Sequence, residues 1–153
     1  MENNARMKAI AQLLAECNDE ELDKLSAILT PADRIQKTVG EAVDQLLLEL
    51  GVPDALKGYR CLQNAIAMTV EDPSLVDGIT SRLYPEVAKV CDTSGSKVER
   101  AIRHAIEAGW DRCDLDTIMH YFGNTISPNK GKPTNGEFVA RAANIIRKQV
   151  YGK

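Results

Sequence analysis

Apolar residues recur at three- and four-residue spacings along most of this chain, and no segment alternates apolar with polar residues long enough to form a strand. That pattern confines the fold to an all-α, multi-helix bundle. Composition supports it: 44% of residues are apolar and 27% charged, enough for a proper core. With one Trp, four Tyr and two Phe, the core must be filled by Leu, Ile, Val and Ala.

The chain opens with two helical stripes, Met7, Ile10, Leu13, Leu14 and Cys17, then Leu22, Leu25, Ile28 and Leu29. They predict a short N-terminal helical hairpin that Pro31 ends, and the polar stretch "PADRIQKTVG" reads as its connection to the rest. Residues 1–38 are thus expected to form an appendage, with self-association or capping of the main domain as candidate roles, and residues 39–153 the main domain. Further helices are predicted around Val43–Leu50, through "KGYRCLQNAIAMTVED" and through "DLDTIMHYFG" with Leu115, Ile118, Met119 and Phe122 inward. A last helix follows the capping pattern Thr134-Asn135-Gly136-Glu137 and turns Phe138, Ala142, Ile145, Ile146 and Val150 to the core.

The middle of the chain is the most informative. Pro85 suits the first turn of a short helix ending near Cys91. The polar "DTSG" follows, and Ser94 can cap a longer helix running to about Trp110. On that longer helix Val98, Ala101, Ile102, Ala105, Ile106 and Gly109 form one apolar stripe. A short helix, a tight turn and a longer amphipathic helix make a helix-turn-helix.

The opposite face of the longer helix carries Ser96, Glu99, Arg100, Arg103, His104 and Glu107. An Arg fork can grip guanine O6 and N7, and a Glu can accept from cytosine N4, so Glu99 and Arg100 are candidate base readers. Ser94, Ser96, Lys97, Arg103 and His104 are candidate phosphate contacts. The same residues admit a plainer reading. Glu99 and Arg103 stand four apart, the spacing of an ordinary helix-stabilising ion pair, and Ser96 with Glu99 has capping-box spacing.

Charge is unevenly spread beneath the net −3. Residues 1–58 hold 6 Lys and Arg against 11 Asp and Glu, whereas from Ser94 onward the count is 10 against 6. A basic back half suits an anionic partner. The four cysteines (Cys17, Cys61, Cys91, Cys113) form no C-x-x-C pair and read as reduced thiols of a cytoplasmic protein. The chain shows no secretory signal and no run near the ~20 apolar residues of a membrane span. Neither metal-ligand spacing nor a catalytic motif is present, so no metal, cofactor, small-molecule substrate or enzymatic activity is expected.

The blocks "KGYRCLQNAIAM", "GITSRLYPEVAKVCDTSGSKVERAIRHAIEAGW" and "KGKPTNGEFVARAA" resemble, in order, the C-terminal effector domain of the stage-zero sporulation regulator family. The resemblance runs from about Leu47 to Lys148. It implies a helical bundle whose helix-turn-helix binds double-stranded DNA at a box containing GTCGA. It also implies Glu99 and Arg100 as base readers and Arg103 and His104 at the backbone. Lys130 and Lys132, before "KPTN", are implied as further backbone contacts. Lys97 stands where the family often has Arg, which keeps a phosphate contact but not a bidentate one. The family's regulators begin with a phosphorylatable receiver of strands and helices; the helical residues before Leu47 do not resemble one, so activation by aspartyl phosphorylation is not expected. A homodimer on DNA is the expected assembly. The alternative is a protein-interaction module that pairs with a full-length regulator without reading DNA itself.

Overall fold

The computed structural model describes residues 2–16, 31–123 and 131–152. The chain divides into two compact units, Met1–Thr38 and Val39–Lys153. The first contains α1 (Glu2–Glu16), on which Met7 is half-buried between exposed neighbours. The second stripe expected for the N-terminal hairpin, Leu22 to Leu29, lies outside the described residues.

Helix α2 (Pro31–Glu49) corrects the sequence reading of "PADRIQKTVG" as a connection. Pro31 is pre-set for the first helical position, and nothing after it breaks a helix. The one glycine in the stretch, Gly40, has open space around it. Val43, Leu46, Leu47 and Leu50 are buried as expected, and Gly51 turns the chain with φ +75°.

Helix α3 (Lys57–Glu71) lies at the centre of the main unit, packing on α5 (Gly95–Arg112) and α7 (Asn135–Tyr151). It buries Cys61, Leu62, Ala65, Ile66 and Val70, each apolar side chain the size of Leu or Ile contributing about 1.5–3 kcal/mol. Tyr59 is half-buried, and its hydroxyl donates to Asp44 Oδ1 at 3.1 Å. Gly58 is required by packing. A Cβ there would lie 2.0 Å from the Ala101 carbonyl oxygen, so α3 and α5 approach as closely as two backbones allow.

Asp72 closes α3 and caps a 3₁₀ turn (Pro73–Gly78), which passes through one π-helical turn (Ile79–Leu83) into α4 (Tyr84–Cys91). Pro85 sits in the first turn of α4, as expected. Asp92 ends α4 in the left-handed region (φ 52°, ψ 56°), and Thr93 N–H donates back to the Ala88 carbonyl at 3.0 Å. This is a Schellman-type stop, with Asp in the position glycine usually fills. Ser94 then caps α5, accepting from Lys97 N–H at 3.4 Å. Helix, three-residue turn and helix follow as the sequence predicts.

Helix α6 (Leu115–Phe122) corrects a second expectation. Phe122 alone is buried, stacked on Phe138 at 5.3 Å and edge-on to Trp110 at 5.2 Å. Leu115 and Met119 face outward, 70% and 57% exposed. Phe122 and the half-buried Tyr121 hold this two-turn helix to the core, and Leu115 and Met119 lie on its outer side. Asp114 caps it, accepting from Thr117 N–H at 2.7 Å. Among the described residues there is no strand, and no helix is long and apolar enough to cross a membrane.

Candidate nucleic-acid interface

Helix α5 is oriented by its stripe. Val98, Ile102, Ala105, Ile106 and Gly109 are buried and Ala101 half-buried. Three branched aliphatic side chains at about 1.5–3 kcal/mol each outweigh any exposed ion pair, worth under about 1 kcal/mol. The opposite face therefore follows: Ser96, Lys97, Arg100, Arg103 and His104 are exposed and Glu99 is half-buried. Ser94, exposed at the cap, joins the same end.

Two flanks border this face. On the α3 side lies a cavity of about 730 Å³, whose apolar lining includes Leu56, Cys61, Cys91 and Ala101. Lys57, Arg60, Lys97 and Arg100 also line it and are exposed, with Asp54 the one acidic lining residue. On the α7 side lies a second cavity of about 690 Å³, lined by Tyr84, Ser96, Glu99 and Asn135 among others. Asn135 Nδ2 donates to both the Tyr84 hydroxyl and the Glu99 carbonyl, at 3.0 Å each. One amide thus joins α7 to both helices of the helix-turn-helix.

The polar groups of the two flanks differ in how they are occupied. Glu99 Oε1 pairs with Arg103 at 3.2 Å, realising the plainer reading of that spacing in the free protein. Ser94, not Ser96, is the cap, so the Ser96–Glu99 capping box does not form. Lys132 pairs with Asp111 near the C-terminal end of α5 at 2.9 Å, and that hydrogen bond raises the lysine's pKa above its usual value. Beside it the Trp110 indole N–H donates to the Gly131 carbonyl at 2.7 Å, fixing the segment before α7. Lys130 lies outside the described residues. Among the described residues no ion pair takes Lys57, Arg60, Lys97 or Arg100; Arg60 donates only to the Val90 carbonyl, at 3.3 Å.

The structure thus gathers Ser94, Ser96, Lys97, Glu99, Arg100, Arg103 and His104 on one face and sets Lys132 at its far end. Sequence reasoning passed over Asn135 as part of a local cap, and over Gly58, Lys57 and Arg60 altogether. The local cap is also real: Thr134 Oγ1 accepts from Glu137 N–H at 3.1 Å. Nothing local signals that the next residue bridges three helices.

A helix-turn-helix that presents donors and two carboxylates, Glu99 and Glu107, on an exposed second helix has the makings of a DNA-binding regulatory domain. The chain belongs to the family described as the C-terminal domain of the sporulation initiation factor Spo0A, whose sequence profile matches residues 43–146. The match spans α3 to α6 and most of α7, and with them every residue of both flanks.

Proposed function

We propose that this protein is a sequence-specific regulator of transcription that lays α5 in the major groove of a GTCGA-type box. Arg100 reads guanine and Glu99 reads the neighbouring cytosine. Ser94, Ser96, Lys97, Arg103, His104, Lys130 and Lys132 contact phosphates. The carrying observation is Arg100: exposed at the middle of the face, on a helix held from both sides, with no ion-pair partner among the described residues.

The Glu99–Arg103 pair is compatible with base reading. An exposed pair is worth under about 1 kcal/mol, whereas a well-formed base contact gives about 1–3 kcal/mol of discrimination. Exchanging Arg103 for cytosine N4 therefore favours the complex and releases Arg103 to a phosphate. Two copies bind adjacent boxes as a homodimer, and residues 1–38 supply the self-association. If deletion of residues 1–38 leaves both the mass in solution and the affinity for DNA unchanged, that role is excluded.

The test of base reading is fluorescence anisotropy on a GTCGA duplex and a scrambled one at near-physiological salt, with wild type beside Arg100→Ala. Preference for the box, reduced by about 1–3 kcal/mol in the variant, is expected. Equal weak binding to both duplexes, unchanged by the substitution, would contradict it. The second reading, a module that pairs with another protein, draws on exposed Leu115 and Met119, one turn apart on α6. It gains if that equal weak binding is found.

A further inference from the structure

We propose that Lys57 and Arg60, in the first turn of α3, bind the phosphate backbone of double-stranded DNA beside Lys97. The interface then extends beyond the helix-turn-helix. This inference rests on the reading of α5 as the groove-binding helix. A helix lying in a major groove about 12 Å wide has a phosphate wall along each flank. The α7 flank meets its wall with cations that are already paired, Arg103 with Glu99 and Lys132 with Asp111. On the α3 flank, Lys57, Arg60, Lys97 and Arg100 surround one cavity, all exposed and none ion-paired among the described residues.

Four like charges line one depression with a single acidic residue, Asp54, among them, and Asp44 behind it is taken up by hydrogen bonds from Tyr59 and Gln63. A polyanion meets these cations without first breaking an internal pair. The site is also continuous with the proposed interface, since Lys97 and Arg100 belong to both. No acidic residue stands in the first turn of α3, and no side chain caps it, so its end adds a partial positive charge directed at the same place. Gly58 fixes the distance. Because α3 meets α5 backbone to backbone, the Lys57 and Arg60 side chains are held beside α5.

Phosphate contacts release counterions, so they show in the salt dependence of binding rather than in sequence preference. The experiment compares wild type, the double variant K57Q/R60Q and a charge-matched control, R82Q/K148Q, whose side chains are exposed and lie outside the cavity. Each is titrated with box and scrambled duplexes across a range of salt concentrations. Thermal melts confirm folding, which exposed substitutions should leave intact. For K57Q/R60Q the slope of log affinity against log salt is expected to become shallower by about 1–2. Both duplexes should lose affinity by the same factor, with box preference retained, while the control keeps the wild-type slope.

An unchanged slope in K57Q/R60Q, with wild type still preferring the box, overturns the proposal and leaves α5 as reader. An equal change in the control overturns it too, by showing a general effect of net charge. A loss confined to the box duplex also overturns it, since that marks base contact. A wild type that prefers neither duplex removes the reading of α5 and this inference together.

Discussion

The two flanks of α5 are built from similar residues and prepared for binding in opposite ways. Towards α7, polar groups are tied down: Asn135 holds Tyr84 and the Glu99 backbone, and Glu99 holds Arg103. Towards α3, the helix is held by backbone contact at Gly58, and the cations around it form no ion pair among the described residues. Positioning on the α7 flank uses hydrogen bonds and consumes charge. On the α3 flank it uses van der Waals contact and leaves charge available. A surface that must meet a polyanion gains from the second arrangement, because no internal pair has to be exchanged.

The sharpest way to break this contrast is Gly58→Ala. A Cβ 2.0 Å from the Ala101 carbonyl oxygen must push α3 from α5 along backbone that cannot yield locally. A loss of about 3 kcal/mol is expected, read as a fall in the denaturant midpoint. A change under about 1 kcal/mol would mean that the contact is not what sets the α3 flank.

On the other flank, Asn135→Ala leaves the Glu99 carbonyl and the Tyr84 hydroxyl without their donor. Stability should drop by about 1–3 kcal/mol. The same substitution should raise the Tyr84 pKa further. Burial already pushes that phenol up, and the Asn135 amide, which donates to its oxygen, works against the rise. Ultraviolet titration of the phenols in the two proteins checks this, and a lowered value would contradict the assigned direction of the bond.

A smaller effect is read in the pH dependence of stability. Tyr59, lining the α3 cavity, is pushed up from 10.0 to about 12 by burial and then by the Asp44 charge. A pKa raised by folding stabilises the protein fully below the unfolded value, and that contribution is lost as pH rises through the folded one. Stability should therefore decline between about pH 10 and 12, and Tyr59→Phe should flatten part of that decline. Tyr121, also raised to about 12 by its hydrogen bond to Glu49, accounts for a further part. Smallest of all is Arg103→Ala, which breaks an exposed pair and should change stability by no more than about 0.5 kcal/mol. A larger loss would show the α7 flank to depend on that pair rather than on Asn135.

What the sequence discloses follows from how far apart the interacting residues stand. The α5 stripe, its Ser94 cap and the preceding turn are local, so their spacing alone predicts them. The exposed set from Ser96 to His104 follows, being whatever the stripe leaves outward. Leu115 and Met119 have the same apolar spacing, yet the pattern misleads on α6. Periodicity says which residues share a face and not whether a partner covers it. Gly58 and Asn135 act across 43 and 36 residues, Gly58 on Ala101 and Asn135 on Glu99, and such isolated long-range contacts leave no periodic trace. Lys57 and Arg60 look like ordinary helix-surface cations until α5 is placed beside them.

The most direct test of α5 and its α3 flank as the DNA-binding surface is a titration of the labelled protein with the GTCGA duplex, followed by amide and arginine side-chain NMR. The largest shifts are expected at Ser94 to His104 and in the first turn of α3, at Lys57 and Arg60, with the Arg100 side-chain resonance moving most. Shifts concentrated on Leu115 and Met119, with Arg100 and the first turn of α3 unmoved, would contradict it.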